Sequence, residues 1–160
     1  MNIYAMTVAE IMTRSVFYAK KDMPVSRLIS EFCSQHLHSA PVVAEDLTLV
    51  GIVSIRDVMK MFMTNYIALI PSLDKVSDAD LSTAMSALRI NEDLTVADIM
   101  RAAVKFVWED TPVIDAAAMM FTSRVHRLPV TRGRSLVGIV SQSDVMRTMA
   151  VGLRSGGACA

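Results

Sequence analysis

The decapeptide VGIVSIRDVM at residues 50–59 returns as VGIVSQSDVM at residues 137–146, and the two copies differ only at Ile55-Arg56 against Gln142-Ser143. The likeness reaches further out. Thr7-Val8-Ala9-Glu10-Ile11-Met12 returns as Thr95-Val96-Ala97-Asp98-Ile99-Met100, and Pro24-Val25 and Pro41-Val42 return as Pro112-Val113 and Pro129-Val130, all at an offset of 88 residues. From Gly51 to Gly138 the offset is 87, so one residue is missing from a turn of the second copy. The chain is an internal duplication of one supersecondary unit, and each copy is too short to bury a core alone.

Composition narrows the class. Of the 160 residues 52% are hydrophobic, thirteen of them Met, which supplies a core and excludes a disordered chain. Sixteen Lys and Arg balance sixteen Asp and Glu, so no broad basic face exists to bind nucleic acid or an anionic membrane. Cys33 and Cys159 form neither a disulfide framework nor a metal motif, and His36, His38 and His126 lack further ligands at metal spacing. No apolar run approaches membrane-spanning length and the N-terminus does not read as a secretion signal, so a cytoplasmic protein is expected.

Local patterning gives the order of elements. Thr7-x-x-Glu10 and Thr95-x-x-Asp98 read as capping boxes opening short helices. Short β-rich runs follow at 16–19 and 104–108. Pro24 and Pro112 suit the first position of a helix. The stripes Val25, Leu28, Ile29, Phe32, Cys33 and Val113, Ala116, Ala117, Met120, Phe121 have the spacing of one helical face. Paired strands at 40–44 and 49–53 flank the turn Glu45-Asp46-Leu47-Thr48; in the second copy the turn is Arg132-Gly133-Arg134-Ser135, where glycine favours a tight reversal. A helix then starts at Ile55 and at Gln142. Each copy is β-α-β-β-α, preceded by its short capped helix, and the chain is of α+β class. The first repeat spans 7–65, a helical linker 66–94, the second repeat 95–151 and a mobile tail 152–160. The helix from Ile55 is expected to run on to Pro71 with a second apolar stripe, and with the linker helix to form a dimer interface.

Ser54-x-x-Asp57 and Ser141-x-x-Asp144 stand where a strand hands over to a helix. The signature is common as a helix cap, with serine and aspartate satisfying and complementing the helix start. The same geometry also suits a nucleotide, since a helix N-terminus favours an anion and a carboxylate can accept ribose hydroxyls. Both roles can hold together. Gly51 and Gly138, three residues before each serine, would allow close approach of an adjacent chain or a ligand.

These landmarks, twice in order, resemble a tandem pair of cystathionine-β-synthase (CBS) domains, a Bateman module, over nearly all of 7–65 and 95–151. The resemblance implies intertwined units related by a pseudo-twofold axis, with two clefts between them for AMP, ADP, ATP or S-adenosylmethionine. It implies that Asp57 and Asp144 hold ribose, with Ser54 and Ser141 beside them. By the same resemblance Met12, Val16 and Phe17 line one cleft and Met100, Val104 and Lys105 the other. The residues before the strand prolines, His38 and Ser39 against His126 and Arg127, join the phosphate region. Only the second copy offers a guanidinium there, and Arg donates two parallel bonds to phosphate oxygens, so the sites are expected to be unequal, the phosphate-rich end lying near Arg127 or Lys105.

No Walker-type loop, nucleophile elbow or H-E-x-x-H helix is present, so no enzymatic activity is expected. The expected function is a regulatory adenine-nucleotide sensor with no required cofactor, working as a homodimer or through an effector protein. The rival is a ligand-free scaffold for dimerisation.

Overall fold

A computed structural model of the chain describes residues 5–61 and 93–155. The expected linker at 66–94 and the run-on of the helix from Ile55 past residue 61 lie outside them. In chain order the elements are α1 (Val8–Ile11), β1 (Ala19–Lys20), α2 (Val25–Ser34), β2 (Ser39–Val43) and β3 (Leu49–Ser54), followed by helix α3, seen over 55–61. The second series is α4 (Val96–Ile99), β4 (Val107–Trp108), α5 (Val113–Ser123), β5 (Arg127–Arg132), β6 (Ser135–Ser141) and α6 (Gln142–Ser155). The α+β class and the repeated order of elements are as expected. Helix α6 continues into the first residues of the segment expected to be a tail.

Two compact units form, and neither is a sequential half. The first, here the Asp144 unit, gathers Met1–Phe17, Glu45–Leu49 and Val104–Ala160; the second, the Asp57 unit, gathers Tyr18–Ala44 and Val50–Ala103. Each therefore takes the short capped helix of one repeat and most of the sheet of the other.

The Asp57 unit holds the sheet β1-β2-β3, with β1 parallel to β2 through Ala19↔Val42 and Lys20↔Val43. The Asp144 unit holds β4-β5-β6, in which β4 is parallel to β5 through Val107↔Val130 and β5 is antiparallel to β6. Strands β1 and β4 are shorter than the sequence pattern implies and start three residues later. Only Ala19–Lys20 and Val107–Trp108 have ladder partners on β2 and β5, and β-branched composition makes no strand where no neighbour takes its hydrogen bonds.

Both capping boxes form. The Glu10 carboxylate accepts the Thr7 N–H at 2.7 Å, and Asp98 accepts the Thr95 N–H and O–H, both at 2.8 Å. Those bonds, the backbone one first, hold the Asp98 carboxyl below its ordinary pKa. Pro24 and Pro112 sit one position earlier than expected, as helix caps with extended ψ near 139° and 140°. That conformation lets Pro24 bridge to Thr95 and Pro112 to Thr7, and the first helical N–H groups, of Val25 and Val113, donate to Leu94 and Met6 carbonyls at 2.9 and 3.0 Å. A short helix of one repeat is thus tied to a long helix of the other.

On α2, Val25, Leu28 and Phe32 are buried, and on α5 so are Val113, Ala116 and Met120. The last residue of each expected stripe is not: Cys33 is exposed and Phe121 is 83% exposed. At about 100° per residue, a position eight residues on lies about 80° round from the first and leaves the sheet-facing side. In the Asp144 unit the core joins Val8 and Met12 of the first repeat to Leu128, Val130, Val140 and Val145 of the second. Such fully buried side chains contribute about 1.5–3 kcal/mol each, so the splice between repeats is made by the same hydrophobic burial that folds each sheet.

The turns differ as the lost residue implies. Gly133 takes φ +61°, whereas the longer turn places Leu47 at φ +63° and fixes it by the Asp46 carboxylate, which accepts the N–H and O–H of Thr48 at 3.0 and 2.9 Å.

Two substitutions test this packing. Gly138 and Gly51 lie against the incoming chain: a methyl on Gly138 would sit 2.8 Å from the Thr13 carbonyl oxygen, and one on Gly51 would sit 3.1 Å from that of Arg101. Overpacking of this kind costs about 1–3 kcal/mol, so Gly138→Ala should lower the urea midpoint, and by more than Gly51→Ala does; equal midpoints to wild type would show the approach to be loose. The buried Thr131 hydroxyl has no partner among the described residues, and the first repeat carries Val43 at the same place. Thr131→Val should therefore raise stability by about 1 kcal/mol in thermal melts.

Candidate functional site

Strands β3 and β6 each deliver a serine at their last residue, and helices α3 and α6 begin at the next one. Asp57 Oδ2 accepts the Ser54 N–H at 2.8 Å and the Ser54 O–H at 2.5 Å. Asp144 Oδ2 accepts the Ser141 N–H and O–H at 2.9 and 2.6 Å, and Ser141 Oγ accepts the Asp144 N–H in return at 3.3 Å. The signature is thus a helix cap in both copies. It uses one carboxylate oxygen and holds the other in a fixed direction at the positive end of a helix.

The surroundings of the second oxygen differ between copies. Asp57 Oδ1 is met by Arg101 Nε at 3.2 Å, and Arg101 Nη2 reaches Oδ2 at 3.4 Å. This contact spans 44 residues of sequence and joins the second repeat to the first. Among the described residues Asp144 Oδ1 has only Arg147 Nη1 at 3.5 Å, from one turn along its own helix, on a side chain that is 75% exposed. An exposed pair at that distance contributes little.

The chain segments beside each carboxylate are positioned by backbone pairing. Thr13 and Ile139 exchange N–H···O bonds at 2.9 Å each, as do Arg101 and Ile52 at 2.9 and 3.0 Å. Met12 consequently packs on Gly138, three residues before Ser141, and Met100 on Gly51, three residues before Ser54. Gly51 and Gly138 thus accommodate an adjacent chain. Arg127 stands directly across the ladder from Ser141, with an exposed side chain, and His126 Nδ1 lies 3.1 Å from Gln142 Oε1. Met12 and Arg127 thus flank the strand that ends at Ser141, His126 meets the first residue of α6, and Met100 flanks the strand that ends at Ser54.

Other expected residues fall elsewhere or have less to show. His38 accepts the Ile55 N–H through its carbonyl, while its ring lines a 320 Å³ apolar pocket with Phe32, Leu37, Ile55 and Val58; Ser54 and Asp57 do not line it. Ser39 is half-buried at the start of β2, and Val16 and Phe17 are half-buried on the chain leading to β1. Val104 and Lys105 line a 510 Å³ cleft against α5, where the Lys105 ammonium donates to Ser123 Oγ at 2.9 Å, and neither Ser141 nor Asp144 lines that cleft. Of the two cations expected at the phosphate end, the structure places only Arg127 on the strand that faces Ser141. Trp108 is 57% exposed and meets Phe106 edge to face at 6.0 Å. Outside these neighbourhoods, the Arg132 guanidinium hydrogen-bonds Glu109 and holds its carboxyl below the ordinary range.

Among the described residues no three His, Cys, Asp or Glu side chains gather as a metal site, and no helix is long and apolar enough to cross a membrane. Arg101 was not among the residues singled out from sequence. Its only signal is that it replaces Thr13 of the first repeat, one position after the repeated Ile-Met.

Ser141→Ala tests the cap directly. Losing a hydroxyl that both donates and accepts should cost about 1 kcal/mol, measured by denaturant unfolding without ligand; an unchanged midpoint would show that Asp144 caps α6 alone.

Comparison with known proteins adds a family and a set of like folds. The CBS domain family matches residues 8–64 and again 96–151. Uncharacterized protein MJ1426 of Methanocaldococcus jannaschii is 29% identical over 154 residues, covering 90% of this chain and 91% of that one. Among solved structures, CBSX2, an Arabidopsis thaliana protein, in complex with AMP superposes with a TM-score of 0.69 at 24% identity, over 92% of this chain and 98% of that chain. The CBS domain pair of protein MJ0100, in complex with 5′-methylthioadenosine and S-adenosyl-L-methionine, gives a TM-score of 0.63 at 21% identity, over 92% and 98% of the two chains.

Proposed function

The chain belongs to the CBS domain family, and from that premise we propose that it is a regulatory, non-enzymatic module that binds an adenosine ligand of the AMP, ADP, ATP or S-adenosylmethionine type. Each site joins the Ser-x-x-Asp of one repeat to the chain entering the other. The observation that carries this reading is the state of Asp144. Its Oδ2 is fixed by Ser141, its Oδ1 is held among the described residues only by the distant end of Arg147, and Arg127 stands across the ladder from Ser141.

A ribose diol offers two O–H donors, which match the less engaged oxygen of a pre-oriented carboxylate. A phosphate offers oxygens that match the Arg127 fork and the helix N-terminus. The carboxylate loses no freedom on binding, because the cap has already fixed it. The AMP complex of CBSX2 and the S-adenosylmethionine complex of MJ0100 support the ligand class, since both share this fold. Val16, Phe17 and Met12 would contribute apolar surface to the base in the Asp144 unit.

Regulation follows from differential affinity. A ligand that touches both repeats favours the arrangement in which both touch it, and only that difference shifts an equilibrium. The output passes through self-association or an effector protein, for which Phe121 on α5 and Met146 on α6, 83% and 63% exposed, offer apolar surface.

Hydrogen bonds to a charged group contribute about 1.5–3 kcal/mol, so Asp144→Ala should weaken AMP binding on the order of 10- to 150-fold in calorimetry. In a thermal-shift panel AMP, ATP and S-adenosylmethionine should be ranked by the rise each produces, since a ligand at 100 times its Kd stabilises by about 2.7 kcal/mol. No shift with any of them would leave the scaffold reading in its place.

A further inference from the structure

The two repeats carry the same carboxylate in different states, and one residue makes the difference. Arg101 holds Asp57 Oδ1 through Nε at 3.2 Å and reaches Oδ2 through Nη2 at 3.4 Å. At the equivalent position of the other repeat stands Thr13, anchored by the same reciprocal backbone pair but with no charge to offer Asp144. The Arg101 side chain is 60% exposed while that of Asp57 is 13% exposed. The guanidinium is thus the exposed partner of a nearly covered carboxylate, and it engages the oxygen that the cap leaves over for a sugar diol.

We propose that Arg101 is the specificity-determining residue of the Asp57 site, a charge that a ligand must displace before its ribose can reach the carboxylate. The inference rests on the nucleotide-binding reading and deepens it. A ligand with a diol alone must break the ion pair and leave the guanidinium in water. A ligand that also carries a phosphate gives the displaced guanidinium a new anionic partner, for which its planar fork is suited. The Asp57 site therefore discriminates against uncharged nucleosides in favour of anionic nucleotides through the resting ion pair itself. At Asp144 the resting pair is weaker: Arg147 reaches Oδ1 by one contact at 3.5 Å from one turn along the same helix, so a ligand has less to displace there.

The ion pair is at the surface, and such pairs contribute about 0.2–1 kcal/mol, so its removal should tighten adenosine binding by about 1.4- to 5-fold. Calorimetry with adenosine and AMP on the Asp144→Ala protein reads the Asp57 site alone, and the same titrations are repeated with Arg101→Thr or Arg101→Gln added. The expected result is tighter adenosine binding and a smaller preference for AMP in both additions. The reciprocal substitution, Thr13→Arg in an Asp57→Ala protein, should weaken adenosine at the Asp144 site. Melting temperatures check that each variant is folded.

Unchanged or weaker adenosine binding with both Arg101 variants in folded protein would overturn the assignment. So would the absence of any binding to Asp144→Ala, with or without the Arg101 changes, while wild type binds AMP; nucleotide binding would then survive at Asp144 alone. If wild type binds neither compound, the nucleotide reading itself fails and takes this inference with it.

Discussion

Two reciprocal pairs of backbone hydrogen bonds, Thr13 with Ile139 and Arg101 with Ile52, determine where the other parts of each unit go. Each pair splices the chain that leaves one repeat's short helix onto the last strand of the other repeat. A glycine next to the pairing position is required, because a Cβ on Gly138 or Gly51 would press on a carbonyl oxygen and a Met sulfur. Side-chain burial follows from the splice: Val8 and Met12 join a core whose sheet comes from the other repeat, starting at Val107. The units are mixed in sequence because neither repeat can complete its own core.

The same splice turns a common helix cap into a candidate ligand site. A Ser-x-x-Asp cap alone would direct its spare oxygen into solvent. Here the incoming chain runs beside the strand that ends in the cap, with Met12 against Gly138 in one unit and Met100 against Gly51 in the other. Both carboxylates are about nine-tenths covered, and at Asp57 the crossing chain reaches the second oxygen through Arg101. At the paired position the crossing chains differ, Thr13 against Arg101. A duplication that began with equal halves thereby holds one engaged and one nearly unengaged acid, and the fold did not have to change to produce the difference.

Much of this was legible in the sequence because it is local. The capping boxes at Thr7 and Thr95, the strand-to-helix handover at Ser54 and Ser141, and the missing residue in the turn after Thr131 all appear at the places their patterns imply. Position within a pattern was less secure. Val16 and Val104 have strand-forming side chains but no ladder neighbour, and Phe121 fits the helical spacing yet lies beyond the arc that meets the sheet. Lys105, expected with Arg127 as a candidate for the phosphate end, donates to Ser123, a partner that the repeat pattern does not reveal. Contacts between repeats were the least legible. Two copies with one pattern give no sign of whether Met100 meets its own strand or the other's, and Arg101 finds Asp57 across 44 residues. Charged residues that break the repeat include Arg101, but also Arg14, Arg56, Lys105 and Arg127, so the pattern alone does not select the one that meets Asp57.

The central claim is that the oxygen of Asp144 left over from capping binds a sugar diol. A crystal structure of the protein with AMP tests it most directly. The account predicts ribose hydroxyls at about 2.5–2.8 Å from Asp144 Oδ1, with Oδ2 still on Ser141 and the phosphate toward Arg127. AMP bound elsewhere, with Asp144 still engaged only by Ser141 and Arg147, would contradict it.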